Sequence, residues 1–168
     1  LNAALGHHLL VQIAVRLRDQ GLSASEIAKQ IALLSKRVHL VACLKTMKYL
    51  QMGGRVSAAT AKIGGVLGIT PIISIIHGKV EAIGKTRGHK AAYRWFQQYL
   101  ERNPADPAYP VVFSHSLNLT GRDELIKELD SILPNRDYLY CDLGSTVGTH
   151  IGPGAIGLAY ISINELNP

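Results

Sequence analysis

Eight residues, Ile69-Thr70-Pro71-Ile72-Ile73-Ser74-Ile75-Ile76, are followed at once by His77-Gly78 and then by the segment Lys79 to Lys85. A β-branched apolar run of this length reads as a strand, and a two-residue connection ending in glycine forces the chain back along itself. An antiparallel pair is therefore expected before any helix can intervene. Pro71 is compatible with it because it stands near the start of its strand, where a missing N–H is tolerated.

The rest of the chain alternates between helical and strand patterns around that hairpin. Apolar residues recur at helical spacing from Leu9 through Leu17 and stop at Gly21, and Ser23-Ala24-Ser25-Glu26 opens a second helix leading to Ser35. Val38 to Leu44 reads as a buried strand, Lys45 to Gln51 as a helix ended by Gly53-Gly54, and Ser57 to Gly65 as a small, alanine-rich helix. After the hairpin come a helix from His89 to Glu101, a proline-rich loop from Asn103 to Pro110, and a strand from Val111 to His115. A helix from Thr120 to Leu133, capped by Thr120 or Asp123, then leads to strands at Tyr138 to Leu143 and Ala155 to Ile163. A direct hairpin followed by strand-helix-strand predicts an α+β fold, a mixed and largely antiparallel sheet packed against helices.

Composition narrows what such a fold can do. The 168 residues are 47% hydrophobic, enough for a real core. Eighteen Lys and Arg against twelve Asp and Glu give a net charge of +6, but the basic residues are scattered. Attraction to anions follows; a nucleic-acid partner is disfavoured and kept as a second reading, that of a small basic regulatory or nucleic-acid-binding module. Cys43 and Cys141 stand far apart in strand-like segments with no metal-type spacing and read as reduced core residues. No apolar run approaches the roughly 20 residues of a bilayer span, and the start lacks signal-peptide character. A cytoplasmic protein without a membrane span is expected. The chain opens on Leu1, almost directly into an amphipathic helix with no capping lead-in, so further sequence upstream is expected.

Three places carry residues suited to an anion. Arg55 follows Gly53-Gly54 where one element turns into the next, and a guanidinium there can grip an anion with two parallel hydrogen bonds; a plain helix C-cap beside a solvated arginine explains the same residues. Lys85, Arg87 and Lys90 surround Gly88 at a strand-to-helix junction, where free N–H groups favour an anion; a solubilising basic corner is the alternative. His150 sits in "VGTHIGPGAIGLAY", where Gly148, Gly152 and Gly154 allow tight turns and Pro153 stiffens the segment. An imidazole could be held there in a fixed pose as a donor to an acidic group, or it could be structural. Gly64-Gly65-Val66-Leu67-Gly68 lacks the Lys-Ser/Thr of a phosphate loop, no GxSxG elbow exists, and the histidines make no metal spacing, His115 at a strand end being the only other one to watch. A hydrolase or transferase therefore ranks last.

Taken in order, "LKTMKYLQMGGRVSAATAKIGGVLGITPI", "GKVEAIGKTRGHKAA" and "GTHIGPGAIGLAY" resemble the C-terminal part of the DegV family of bacterial fatty-acid-binding proteins. The resemblance runs from the first helix pair to the last strand and is weakest around Asn103 to Pro110 and "SHSLNLTGRDE". It implies the C-terminal lobe of a two-domain fold, with residues 1–36 a helical segment continuing from an N-terminal domain missing here and residues 37–168 the DegV-like α+β domain. In that family the acyl chain of a long-chain fatty acid lies between the two domains, and a separate fatty-acid kinase phosphorylates the carboxylate. The resemblance thus implies a non-catalytic lipid carrier with no cofactor and no metal. Its implied partners are the fatty acid, the kinase and the missing domain. It also implies that His150, Arg55 and Arg87 meet the carboxylate, with Gly148 and Thr149 shaping the loop. Candidates for the acyl wall are Ile63, Val66, Leu67 and Ile69, for each of which ordinary core packing is an equal explanation.

Overall fold

The structure, a computed structural model, describes residues 2–57 and 68–165. The hairpin forms as its sequence requires. β2 (Ile69–Ile76) and β3 (Lys79–Arg87) pair antiparallel from Ile76↔Lys79 to Ile69↔Arg87. His77 and Gly78 both have positive φ, 50° and 80°, the mirror-image turn whose twist matches that of the strands it joins. Pro71 costs no ladder bond, because β1 (Val38–Cys43) pairs only with Ile72 to Ser74 of β2.

β1 also pairs antiparallel with β6 (Ile156–Ile161), and β6 with β4 (Val111–His115). β5 (Tyr138–Asp142) adds parallel to β4 through a helical crossover, giving one six-stranded mixed sheet in the order β3-β2-β1-β6-β4-β5. This is the expected α+β class, with a single parallel pair at one edge.

Helices cover both faces. α4 (His89–Arg102) and α5 (Leu119–Leu129) pack on the first face, where Phe96, Leu100, Leu125 and Leu129 meet Val41, Ile72, Phe113, Leu158 and Tyr160. α1 (Ala4–Asp19) and α2 (Ala24–Leu34) cover part of the second, with Leu5, Leu9, Ile13 and Leu34 against Val38, Leu40, Val112, Ala159 and Ile161. The boundary expected at residue 36 therefore falls between two elements that share one core. The short helices α3 (Lys48–Met52) and α6 (Ser145–Ile151) occupy the remainder of that second face.

Several element ends differ from expectation. α2 opens on the predicted capping box, with Ser23 accepting from the Glu26 N–H while the Glu26 carboxylate accepts from the Ser23 N–H at 2.8 Å. α5 is capped by Asn118, neither by Thr120 nor by Asp123: its side-chain oxygen accepts from the Gly121 N–H at 3.1 Å, and its amide donates to the Gly154 carbonyl. An asparagine preceding the helix reaches the third N–H, which residues already inside the first turn cannot do. α5 also ends at Leu129, short of the expected Leu133. The helix expected from Ser57 to Gly65 falls, apart from Ser57 itself, outside the described residues.

Cys43 is buried, and burial pushes its thiol up to about 12, away from reactivity. Cys141 lies half-buried on the edge strand, its thiol also raised by burial, and both cysteines are free. No helix among the described residues is long and apolar enough to cross a membrane.

Candidate functional site

Among the described residues, part of the second face of the sheet is not filled. Between the start of α1, the end of α3 and one side of α6 lies a cavity of about 230 Å³. Its floor is sheet: Leu40 and Ala42 of β1, Ile73 and Ile75 of β2, Val80 of β3 and Gly157 of β6. Ala42 and Gly157 are register partners, so the middle of the floor carries the two smallest side chains available. A Cβ at Gly157 would come within 2.8 Å of the Val41 carbonyl oxygen, so glycine is what lets β6 approach β1 this closely. Leu50, Ile151 and Ala155 supply apolar wall, and the polar side chains on the lining are Arg55, Thr146 and His150.

His150 does not sit on a loop, as its glycine-rich surroundings suggested. It occupies the last turn of α6. Gly148 lies inside that helix, its N–H bonded to the Gly144 carbonyl at 2.9 Å, and Gly152, at φ 71°, ends it. One helical glycine costs about 1 kcal/mol relative to alanine, and the packing of α6 on α3 offsets it. That packing is reciprocal. The His150 imidazole lies on Gly53 of the α3 C-cap, where an added Cβ would fall 2.1 Å from Nδ1, and the Tyr49 ring of α3 lies on Gly152, where an added Cβ would fall 2.2 Å from it. His150 Nδ1 is buried there without a hydrogen-bond partner among the described residues.

The helical periodicity of α6 decides which of its residues face the cavity. Thr146, Val147, His150 and Ile151 line it, and Thr149 does not; the Thr149 hydroxyl donates instead to the Ser145 carbonyl at 2.8 Å. Gly148 lines a separate surface cleft with His115, Leu117, Asp142 and Pro153. The structure thus brings His150 and Arg55 to one cavity and leaves Gly148 and Thr149 on the other side of α6. The Arg55 guanidinium is exposed and donates back to the Gly53 carbonyl at 2.7 Å, which holds it at the cavity edge.

Arg87 is elsewhere. It ends β3, seven residues beyond the cavity-lining Val80, a separation of roughly 20 Å at about 3.3 Å per strand residue. With Lys85, His89 and Lys90 it forms an exposed basic corner in which none of the four makes an ion pair among the described residues. Of the expected acyl wall, Ile63, Val66 and Leu67 lie outside the described residues. Ile69 opens β2, four residues before Ile73, and is not part of the lining. The floor residues Leu40, Ala42, Ile73, Ile75 and Gly157 and the hydroxyl of Thr146 were not singled out from the sequence. Alternation along predicted strands could have placed Ile73 and Ile75 on one face, but nothing local says which face stays open.

Two other polar groups stand apart from this site. His39 of β1 is buried, stacked on Tyr160 at 5.4 Å and sharing a 2.9 Å hydrogen bond with the Tyr99 hydroxyl through Nδ1, and burial pushes its pKa down to about 4. His115 accepts from the Asn118 N–H through Nδ1, with Nε2 3.8 Å from the exposed Asp142 carboxylate. Among the described residues no three His, Cys, Asp or Glu side chains gather as a metal site would need.

Sheet, helices and cavity together define an α+β domain whose second face, among the described residues, holds a packed core under α1 and α2 and a cavity beside it. The particular lineage follows from comparison: a family model described as "Uncharacterised protein, DegV family" matches residues 1–162, and the chain belongs to the DegV family. A DegV domain-containing protein of Caldanaerobacter subterraneus subsp. tengcongensis is 31% identical over 160 residues, covering 93% of this chain and 56% of that relative. Among solved structures, a DegV family protein from Thermus thermophilus described by its fatty-acid binding is 28% identical, with a TM-score of 0.82 over 96% of this chain and 58% of its own. A DegV family protein from Eubacterium eligens loaded with heptadecanoic acid gives a TM-score of 0.84 at 24% identity, over 92% of this chain and 56% of its own. The Streptococcus pneumoniae Fatty Acid Kinase (Fak) B3 protein loaded with linoleic acid gives 0.82 at 22%, over 91% and 54%. At those last two identities the likeness is one of fold. The chain spans about half the length of the curated relatives it matches, 56% of the first and 52% of the second.

Proposed function

We propose that this chain is the C-terminal lobe of a two-domain fatty-acid carrier, with its acyl chain entering the open face and its carboxylate met by His150 and Arg55. The observation that carries the reading is the cavity itself: an apolar pocket on a sheet face, with one imidazole, one guanidinium and one hydroxyl on its lining. Each buried methylene contributes about 0.8 kcal/mol, so an apolar cleft supplies affinity while the few polar groups fix orientation. At about 230 Å³ the cavity falls below the roughly 300–1,000 Å³ usual for ligand sites. A second lobe closing over it accounts for the difference and agrees with the fraction of its relatives that this chain spans.

Within this reading the head-group set contracts to His150, Arg55 and Thr146. Gly148 and Thr149 shape α6, and Arg87 lies too far along β3 to share the same carboxylate. The role is that of a cytoplasmic carrier that presents its ligand and performs no bond-making itself. The consumer we infer is a separate fatty-acid kinase, a step prompted by the fold likeness to the streptococcal Fak B3 protein.

Competition of unlabelled fatty acids against a fluorescent acyl probe on the native full-length protein tests the reading. Micromolar or tighter binding that weakens about tenfold in His150→Ala, with the fold intact, is expected from loss of one hydrogen bond to a charged group. Equal binding by both proteins would remove His150 from the site.

A further inference from the structure

The Gly53-Gly54 doublet holds two glycines for two different reasons. Gly54 has φ 68°, a conformation that L side chains avoid, and a Cβ there would meet nothing within 4 Å, so its requirement lies in the backbone. Gly53 has φ −80° and ψ 0°, the conformation of the third residue of a type I turn, which most residues adopt. Alanine at such a position would ordinarily be neutral or mildly stabilising. What forbids it is the His150 ring: an added Cβ would lie 2.1 Å from Nδ1 and 2.8 Å from Cε1. Backbone conformation therefore does not explain this glycine, and the seat of one imidazole does.

We propose that Gly53 is a positioning residue for His150, its hydrogen side chain forming the seat that fixes the ring's pose and tautomer. The inference rests on the carrier reading for its functional consequence, though not for the contact itself. With Nδ1 sealed against Gly53 and without a hydrogen-bond partner among the described residues, a proton there would be a buried, unsatisfied donor, and orphaned buried N–H groups are rare in native structures. The seat thus leaves the bare nitrogen at Nδ1 and the N–H at Nε2, the donor a carboxylate needs. The partner contact, Tyr49 on Gly152, holds α6 at the spacing the seat requires. Nothing in the sequence distance between residues 53 and 150 advertises this coupling.

A double-mutant cycle in the native full-length protein, with palmitate as the probe, tests the proposal. Gly53→Ala is expected to weaken palmitate binding about tenfold or more, since the hydrogen bond from Nε2 is misdirected. It should also shift the His150 resonances in a two-bond ¹H–¹⁵N spectrum. In the His150→Ala background the added methyl enters the space the ring vacates, so Gly53→Ala should cost nothing further. Unmoved His150 resonances in Gly53→Ala, or an undiminished loss of binding in the His150→Ala background, would overturn it. Should the wild-type protein bind no palmitate, the carrier reading fails, and the resonances together with the same cycle read in thermal midpoint still decide whether Gly53 seats the ring.

Discussion

The two faces of one sheet are built to opposite ends. Under α4 and α5, large side chains interlock: Phe96, Phe113 and Tyr160 are at most 1% exposed, and Phe113 meets Tyr138 edge-on at 5.3 Å. Across the same strands, under α3 and α6, the facing residues shrink to Ala42 and Gly157 and a cavity remains. A strand's alternation hands one set of residues to each face, so large side chains fill the space under α4 and α5 while, among the described residues, the patch under α3 and α6 stays open. The second face is itself divided, with a packed core under α1 and α2 and the cavity beside it.

That separation can be attacked from its stable side first. Phe113→Ala should destabilise the protein by about 3–5 kcal/mol, the usual cost of emptying a fully buried aromatic site, read as a lower midpoint in urea unfolding. Acid should reach the same face through His39. Above pH 6.5 the ring is neutral folded or unfolded; as pH falls, the unfolded chain takes up the proton first, because the folded ring holds out to about pH 4. Stability should therefore drop between pH 6.5 and 4, by about 3 kcal/mol in all, and a His39→Phe variant should lose that part of the slope in a stability-against-pH series.

On the open face the expectations reverse. Ala42→Phe fills the cavity floor and should change unfolding stability by about 1–3 kcal/mol at most while abolishing acyl-probe binding. His150→Ala should change stability least, by about 1 kcal/mol or less, and still weaken binding. A large stability loss from either open-face substitution would mean that this face, too, is core.

The closed face was the legible one. β-branched runs, a two-residue turn and helical periodicity are local signals, and each of the six strands was placed within a few residues of its observed ends. The alanine opposite glycine in the floor and the ring on Gly53 arise between segments about 100 residues apart, so no local window shows them. For His150 the local structure differs from expectation, since its glycines suggest a loop where tertiary packing makes a helix. Arg87 resembled Arg55 in being a cation beside a glycine; only the length of β3 separates them.

The open part of the second face is proposed to hold a fatty acid. Mass spectrometry of lipids extracted from the purified native full-length protein, beside the Ala42→Phe variant, addresses it most directly. A stoichiometric long-chain fatty acid is expected in the first and none in the second. Equal retention by both proteins, or no fatty acid in either, would contradict it.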